Sequence, residues 1–118
     1  MSRASHPPDV VSSARRFAAL GGVPRLRILR LLLAAHPEGL TVSELQEELG
    51  IPGSTLSHHL EKLKNEDLVT VRRDRQFLWY AANTKVLMEL MAFLYTECCS
   101  RSGAIQARSL ASLCCAPR

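Results

Sequence analysis

The spacing of hydrophobic side chains divides this chain into helical segments and one short region of alternation. Apolar residues recur every three or four positions up to residue 63 and again after residue 84, which is the period of a helix that packs one face on a core. After Asp67 the period changes to two, as in β-strands. The pattern predicts five helices, over residues 9–20, 24–35, 41–49, 52–63 and 84–99, and two strands, over residues 68–72 and 76–80.

The third and fourth predicted helices are joined by a very short turn. Thr41 and Glu44 fit a capping box, in which the hydroxyl and the carboxylate satisfy free backbone N–H groups at the start of a helix. Gly50 can take the left-handed conformation that ends this helix, and Pro52 suits the first position of the next one. Two helices connected so closely, the second with a polar outward row, are typical of a helix-turn-helix.

The fourth helix separates its apolar residues from its polar ones. Leu56, Leu60 and Leu63 recur at i, i+4 and i+7, so they share one face, which we expect to be buried. Such an arrangement leaves a surface that suits base edges and phosphates, although a solvated helix face has the same pattern. Burial of the polar side chains inside the domain would contradict a role in DNA binding. These side chains are Ser54, His58, Glu61 and Lys62 on the opposite face and Thr55, Ser57 and His59 on the flanks.

The predicted hairpin places three arginines near its tip. A two-stranded hairpin is marginal alone, but packed against the helices it would form a wing. Arg72, Arg73 and Arg75 would then be placed to touch the DNA backbone or the minor groove. Ordinary charged turn residues are the alternative interpretation of the same three positions.

The last helix is apolar on nearly every side, and a helix of this kind must be covered on every side. One face can pack on the core, and a second copy of the chain is the simplest cover for the other. We therefore expect a dimer formed through the first and last helices, which would set two recognition helices about one DNA turn apart, roughly 34 Å. The apolar residues are Val86, Leu87, Met88, Leu90, Met91, Phe93 and Leu94.

The composition fits one small domain with no membrane span. Of the 118 residues, 47% are hydrophobic but only 5% are aromatic, which is typical of a Leu- and Ala-rich helical protein. The net charge of +4 is compatible with a polyanionic partner but is weak evidence for one. No stretch approaches the roughly 20 apolar residues of a membrane span, and the N-terminus is unlike a secretory signal. We expect a cytoplasmic protein with reduced thiols, and no enzyme, because no catalytic motif appears.

Three segments of the chain resemble one family of transcription regulators. They are residues 24–32 (PRLRILRLL), residues 54–60 (STLSHHL) and Leu68-Val69 followed by Arg72-Arg73. Over about residues 10–99 the chain resembles the ArsR/SmtB winged-helix repressors, which sense metals and metalloids. The resemblance implies a fold that is mainly α with a two-stranded β wing, and a homodimeric repressor that leaves its operator when an inducer binds. The residues expected to contact DNA are Ser54, Thr55, Ser57, His58 and Lys62 on the fourth helix, with Arg73 and Arg75 on the wing.

The three regions expected within the chain follow from this resemblance and from composition. Residues 1–8 are expected to be a flexible lead-in, and residues 9–99 the winged helix-turn-helix domain for DNA binding and dimerisation. Residues 100–118 are expected to be a flexible tail that contains cysteines.

All four cysteines lie after residue 97, as the adjacent pairs Cys98-Cys99 and Cys114-Cys115. Residues 97–100 resemble family members that bind arsenite through an adjacent pair on the last helix and a third cysteine farther on. Soft thiolates select thiophilic ions, and trivalent arsenic takes three sulfurs in a pyramid. We expect Cys98 and Cys99 to anchor As(III), or Sb(III) by the same chemistry. Cys114 or Cys115, from the same chain or its partner, would supply the third sulfur.

The function we expect is repression of an arsenic-resistance operon, with release when the metalloid binds. Four thiolates would also satisfy one zinc, cadmium or mercury ion, and a disulfide between the two pairs would make a redox sensor. Cysteines that merely fill space are a further alternative. A thiol-based metal buffer or redox protein, in which the helix-turn-helix is only a scaffold, is the alternative of another class. Sequence-selective, salt-sensitive DNA binding would separate it from a repressor.

Overall fold

The computed structural model describes residues 9–99, with side chains as far as residue 96. Helices and strands follow one another along the chain in an order that places the helix-turn-helix before the hairpin. The predicted lead-in and tail lie outside the described residues. The helices are α1 (Val10–Leu20), α2 (Val23–Ala34), α3 (Val42–Leu49), α4 (Gly53–Asn65) and α5 (Thr84–Cys99), and the strands are β1 (Leu40–Thr41), β2 (Val69–Asp74) and β3 (Phe77–Ala82).

The helix ends are set by local hydrogen bonds, as the sequence predicts for α3. The Thr41 backbone N–H donates to Glu44 Oε1 at 2.9 Å, and the Glu44 N–H donates to Thr41 Oγ1 at 3.3 Å, so the capping box is confirmed. Gly50 ends α3 with a φ of 65°, also as predicted. Pro52 differs from the prediction, because its backbone is extended and it precedes the first turn of α4 as the N-cap residue.

The sheet contains three antiparallel strands in the order β1-β3-β2, so the predicted two-stranded wing was incomplete. The additional strand pairs Leu40 with Tyr80 and Thr41 with Trp79. Two residues are too few to show a period of two, which is why hydrophobic spacing did not indicate this strand. Gly39 makes the approach possible, since its φ is 88° and a Cβ there would collide with the carbonyl oxygen of Tyr80.

The core lies between the helices and the near face of the sheet. The three leucines of α4 are all buried there, since Leu56 and Leu63 are 0% exposed and Leu60 is 2% exposed. They pack in one cluster with Ile28 and Leu32 of α2, together with Leu45, Leu68, Val86 and Leu90. Helix α4 is thereby fixed with one defined side toward solvent. None of the described helices is long and apolar enough to cross a membrane.

Candidate nucleic-acid interface

The outward side of α4 carries the polar row that the sequence predicts. All five α4 residues expected to contact DNA are exposed, while the leucines between them are buried. The row therefore combines hydroxyls, an imidazole and an ammonium group on one rigid element, with no aliphatic side chain among them. These residues are Ser54, Thr55, Ser57, His58 and Lys62; their contact with DNA stays a prediction.

The three arginines of the wing differ in their contacts with the rest of the protein. The Arg72 Nη2 group donates to the carbonyl oxygen of Glu38 at 3.2 Å, and Arg72 Nη1 lies 3.7 Å from Asp74 Oδ2. The Arg72 guanidinium also lies over the Trp79 ring, 5.3 Å from its centroid, in a cation–π contact. Arg72 thus binds groups within the protein and ties the wing to the segment before β1, rather than pointing freely to a ligand.

Arg73 and Arg75 remain exposed, and within residues 9–99 neither has an ion-pair partner. Strand β2 ends two residues later than the hydrophobic spacing indicated and β3 begins one residue later, so only Arg75 and Gln76 lie between them. Arg75 adopts a left-handed φ of 62°, which β-hairpins of this loop length usually give to glycine or asparagine. Both predicted wing residues therefore lie at the tip, and both carry an uncompensated charge.

Two arginines of α1 form ion pairs that brace α1 against α4 and α5. Arg15 Nε lies 3.5 Å from Glu66 Oε1, and Arg16 Nη1 lies 3.6 Å from Glu89 Oε1. Arg16 Nε also donates to the carbonyl oxygen of Glu66 at 3.3 Å. The positive charges of Arg15 and Arg16 are therefore compensated by carboxylates of the same domain.

A cleft of about 560 Å³ lies between α1, the start of α2 and the polar row of α4. His58 and Lys62 line it from α4, and Arg25 lines it from α2. Arg25 Nε donates to the carbonyl oxygen of Ala19 at 2.5 Å, and Arg25 Nη1 lies 3.4 Å from His59 Nδ1. No spacing in the sequence marks Arg25, because its partners lie up to 34 positions away and only the fold brings them together.

Burial lowers the pKa of His59, and the positive charges of Arg25 and, to a smaller extent, His58 lower it further. A guanidinium can only donate hydrogen bonds, so Nδ1 of His59 must be the acceptor in this contact. The neutral ring then carries its proton on Nε2. His59 is thus fixed in one tautomer by an arginine from a different helix.

An apolar groove of about 470 Å³ runs between α1, α2 and α5. Its lining includes Phe17 of α1, Leu33 of α2 and Leu94 of α5, which are 36%, 42% and 51% exposed in the single chain. Large apolar side chains that share an exposed groove usually mark a site for another protein surface. The first and last helices, which the sequence predicts to form a dimer, both line this groove. The outer side of α2 lines it as well.

The predicted metalloid ligands fall at and beyond the end of α5. Cys98 and Cys99 belong to its last turn, but their side chains are outside the described part of the structure, as are Cys114 and Cys115 altogether. Among the residues that are described, no group of three or more His, Cys, Asp or Glu side chains could hold a metal ion. The proposed cysteine ligands therefore stay a prediction from the sequence.

The order of elements, the short turn between α3 and α4 and the three-stranded sheet define a winged helix-turn-helix protein. Comparison with known proteins agrees with this class. Residues 25–72 match a family described as a helix-turn-helix domain. The nodulation protein NolR of Rhizobium meliloti is 31% identical over 86 residues, which cover 73% of this chain and 68% of that protein.

Two further similarities concern regulators whose names state a function or an assembly. The arsenical resistance operon repressor of Staphylococcus aureus is 36% identical over 67 residues, covering 57% of this chain and 62% of that protein. The solution structure of the homodimeric DNA-binding domain of Mb0332 from Mycobacterium bovis, described as a possible ArsR-family regulator, has a TM-score of 0.60. Its sequence identity is 27%, and the match covers 82% of this chain and 87% of that one.

The chain belongs to the ArsR family of winged helix-turn-helix transcription regulators. The relatives are DNA-binding transcription regulators, which is the class of protein that the sequence predicts. The polar row of α4 and the tip of the wing are accordingly the surfaces to test for DNA contact.

Proposed function

We propose that the chain is a homodimeric repressor that binds a double-stranded DNA operator and leaves it when trivalent arsenic or antimony binds its C-terminal cysteines. The observation that carries the DNA-binding role is the exposed polar row of α4 above three buried leucines. Hydroxyls and a lysine can bond base edges and phosphates in the major groove, while Arg73 and Arg75 reach the adjacent backbone or minor groove.

The apolar groove between α1, α2 and α5 supports dimerisation. Phe17, Leu33 and Leu94 would leave water on contact with a second copy, and burial of apolar surface is the main favourable term in association. Two-fold symmetry then duplicates α4, so that one dimer reads two half-sites. The homodimeric assembly of the Mycobacterium bovis domain is consistent with this proposal.

The adjacent cysteine pairs and the similarity to an arsenical resistance repressor support the choice of inducer. Cys98 and Cys99 belong to the same helix that lines the dimer groove, so a change at the end of α5 can reach the interface. We infer that closing a sulfur pyramid with Cys114 or Cys115 alters the spacing of the two α4 helices. A coupling of about 1–3 kcal/mol, typical of allostery, would lower operator affinity about 5- to 150-fold.

The DNA-binding role is tested by selecting duplexes from a random pool with the full chain. Enrichment of a two-fold symmetric sequence, bound more tightly than a scrambled duplex and less tightly as salt rises, is the expected result. Equal weak binding of every duplex, or no binding, would favour a thiol-based metal buffer or redox protein that uses the helix-turn-helix only as a scaffold.

The inducer is tested by titrating arsenite into a complex of the chain with its selected duplex under reducing conditions. Arsenite should release the wild-type chain from the duplex. It should release Cys98→Ser far less readily, because one of the three sulfurs that bind arsenic is lost. Parallel titrations with cadmium, zinc and hydrogen peroxide separate the other soft metals and thiol oxidation from arsenic. X-ray absorption on Cys114→Ser and Cys115→Ser would identify the third ligand, and arsenite release that survives Cys98→Ser would contradict the site.

A further inference from the structure

Arg25 is a half-buried cation without a carboxylate partner in the described part of the chain. Arg15, Arg16 and Arg72 each form an ion pair, but no Asp or Glu oxygen of residues 9–99 lies within 4.0 Å of the Arg25 guanidinium. Its two hydrogen-bond partners, the Ala19 carbonyl oxygen and His59 Nδ1, are neutral acceptors. A charge that is partly removed from water and left uncompensated favours an anion nearby.

The hydrogen-bonding capacity of Arg25 is also only partly used. A guanidinium has five N–H donors in a rigid planar fork, and the contacts to Ala19 and His59 use two of them. These contacts hold the side chain between the last turn of α1 and the first turn of α2. Three remaining donors and a fixed orientation are the features that let arginine bind a phosphate through two parallel bonds.

The cleft beside Arg25 is open and adjoins the surface proposed to contact DNA. His58 and Lys62, which belong to the polar row of α4, line the same cleft. Two acidic side chains line it as well, but the charge of Glu66 is compensated by Arg15 at 3.5 Å, while Glu61 is exposed beside Lys62. Glu61 is therefore the one acidic side chain of this cleft that forms no ion pair within residues 9–99. A DNA backbone that borders the groove occupied by α4 could reach Arg25 past this single carboxylate.

We propose that Arg25 binds a phosphate of the DNA backbone in this cleft, beside the major groove that α4 enters. The contact carries no base information, so it strengthens binding to every duplex and fixes the register of α4. Arg25 thereby has two roles, because the same side chain holds His59 of α4 in place and neutralises a phosphate. The inference rests on the proposed DNA-binding function and adds a contact that the polar row and the wing do not supply.

The test measures binding of a random-sequence duplex as a function of salt concentration. Each neutralised phosphate contributes about −0.9 to the slope of log K against log salt, so Arg25→Gln should make the slope shallower by about one. Affinity near physiological salt should fall about tenfold, because a charge-assisted hydrogen bond is lost. Arg25→Lys, which keeps the charge and loses the fork, should retain the slope with a smaller loss of affinity.

Arg27→Gln is the matched control, since Arg27 is exposed two positions along α2 and lines a different cleft with Arg30 and Glu48. This variant should keep the wild-type slope. An unchanged slope in Arg25→Gln would overturn the inference, and so would weaker binding with an unchanged slope, which indicates only a structural role. If the wild type binds no duplex at all, the proposed function fails instead.

A second measurement does not depend on whether Arg25→Gln folds. The side-chain Nε–H resonance of Arg25 in the wild type, assigned by its loss in Arg25→Lys, should shift when the random-sequence duplex is added and return when salt is raised. A resonance that does not move while backbone resonances of α4 do move would show that DNA binds without Arg25.

Discussion

Helices α4 and α5 bury similar apolar stripes but turn opposite chemistry outward. Leu60 of α4 and Leu90 of α5 are each 2% exposed in the same core. On the outward side, α4 presents side chains such as Ser57, whereas α5 presents Leu94, which is 51% exposed. A polar outward side suits a polyanion, and an apolar one is unfavourable in water until another apolar surface covers it. The two helices therefore point to two different partners.

The largest effect is expected from removing a buried side chain of α4 from the core that α4 and α5 share. Leu60→Ala is expected to lower the free energy of unfolding by about 3 kcal/mol, because it removes buried methyl groups and leaves a cavity. Leu94→Ala, the same substitution on the exposed side of α5, should act mainly through dimer formation, so its loss of stability relative to the wild type should be largest where the wild type is a dimer and should disappear on dilution to single protomers. Chemical denaturation at several concentrations measures both. Equal losses at every concentration would place Leu94 in the core of the single protomer.

The outward side of α5 is tested by Leu94→Asp. A carboxylate in the apolar groove should prevent dimerisation, since it would be desolvated without a partner. Affinity for the selected duplex should fall about 100-fold or more, because two linked reading heads bind far more tightly than one. Ala92→Asp adds the same charge at an exposed position that does not line the groove. Light scattering and DNA titration of both variants measure dimerisation and affinity. A Leu94→Asp variant that is still a dimer and binds DNA with full affinity would refute the assignment of the groove to dimerisation.

The outward side of α4 is tested by Thr55→Ala. Losing a hydroxyl that bonds a base edge should cost about 1–2 kcal/mol with the selected duplex and little with a scrambled one, while stability changes by less than about 0.5 kcal/mol. Thr70→Ala makes the same change at an exposed position of β2, outside the proposed interface. Equal effects of the two substitutions on the selected duplex would mean that the α4 hydroxyl contributes no base readout.

Local patterns predicted much of this difference between the helices. The capping box at Thr41, the left-handed Gly50 and the leucine stripe of α4 each depend on residues only a few positions apart, so the sequence displays them directly. The helix-turn-helix and the exposed polar row followed from these patterns. The apolar character of α5 followed from its own run of apolar residues.

Contacts between distant parts of the chain were not predictable in the same way. Strand β1 is two residues long, and its pairing with β3 depends on the absence of a side chain at Gly39. Arg72 reaches Glu38 and Arg25 reaches His59 across 34 positions in each case, so no spacing in the sequence signals either contact. Arg72 therefore supports the wing. The sequence alone did not indicate Arg25 as a candidate for DNA contact.

The smallest effect we predict concerns the pH dependence of α4, which carries two histidines where α5 has none. The pKa of His59 is lowered in the folded chain, first by burial and then by Arg25, relative to an ordinary value of 6.5. The unfolded state therefore binds the proton more readily, so this histidine leaves stability intact above about pH 6.5 and reduces it as the pH falls below that value. The unfolding free energy measured between pH 8 and pH 5 should fall less in His59→Gln than in the wild type. Arg25→Gln should reduce the pH dependence by a smaller amount, because burial, the larger cause, remains; an identical pH dependence in His59→Gln and wild type would show that another group is responsible.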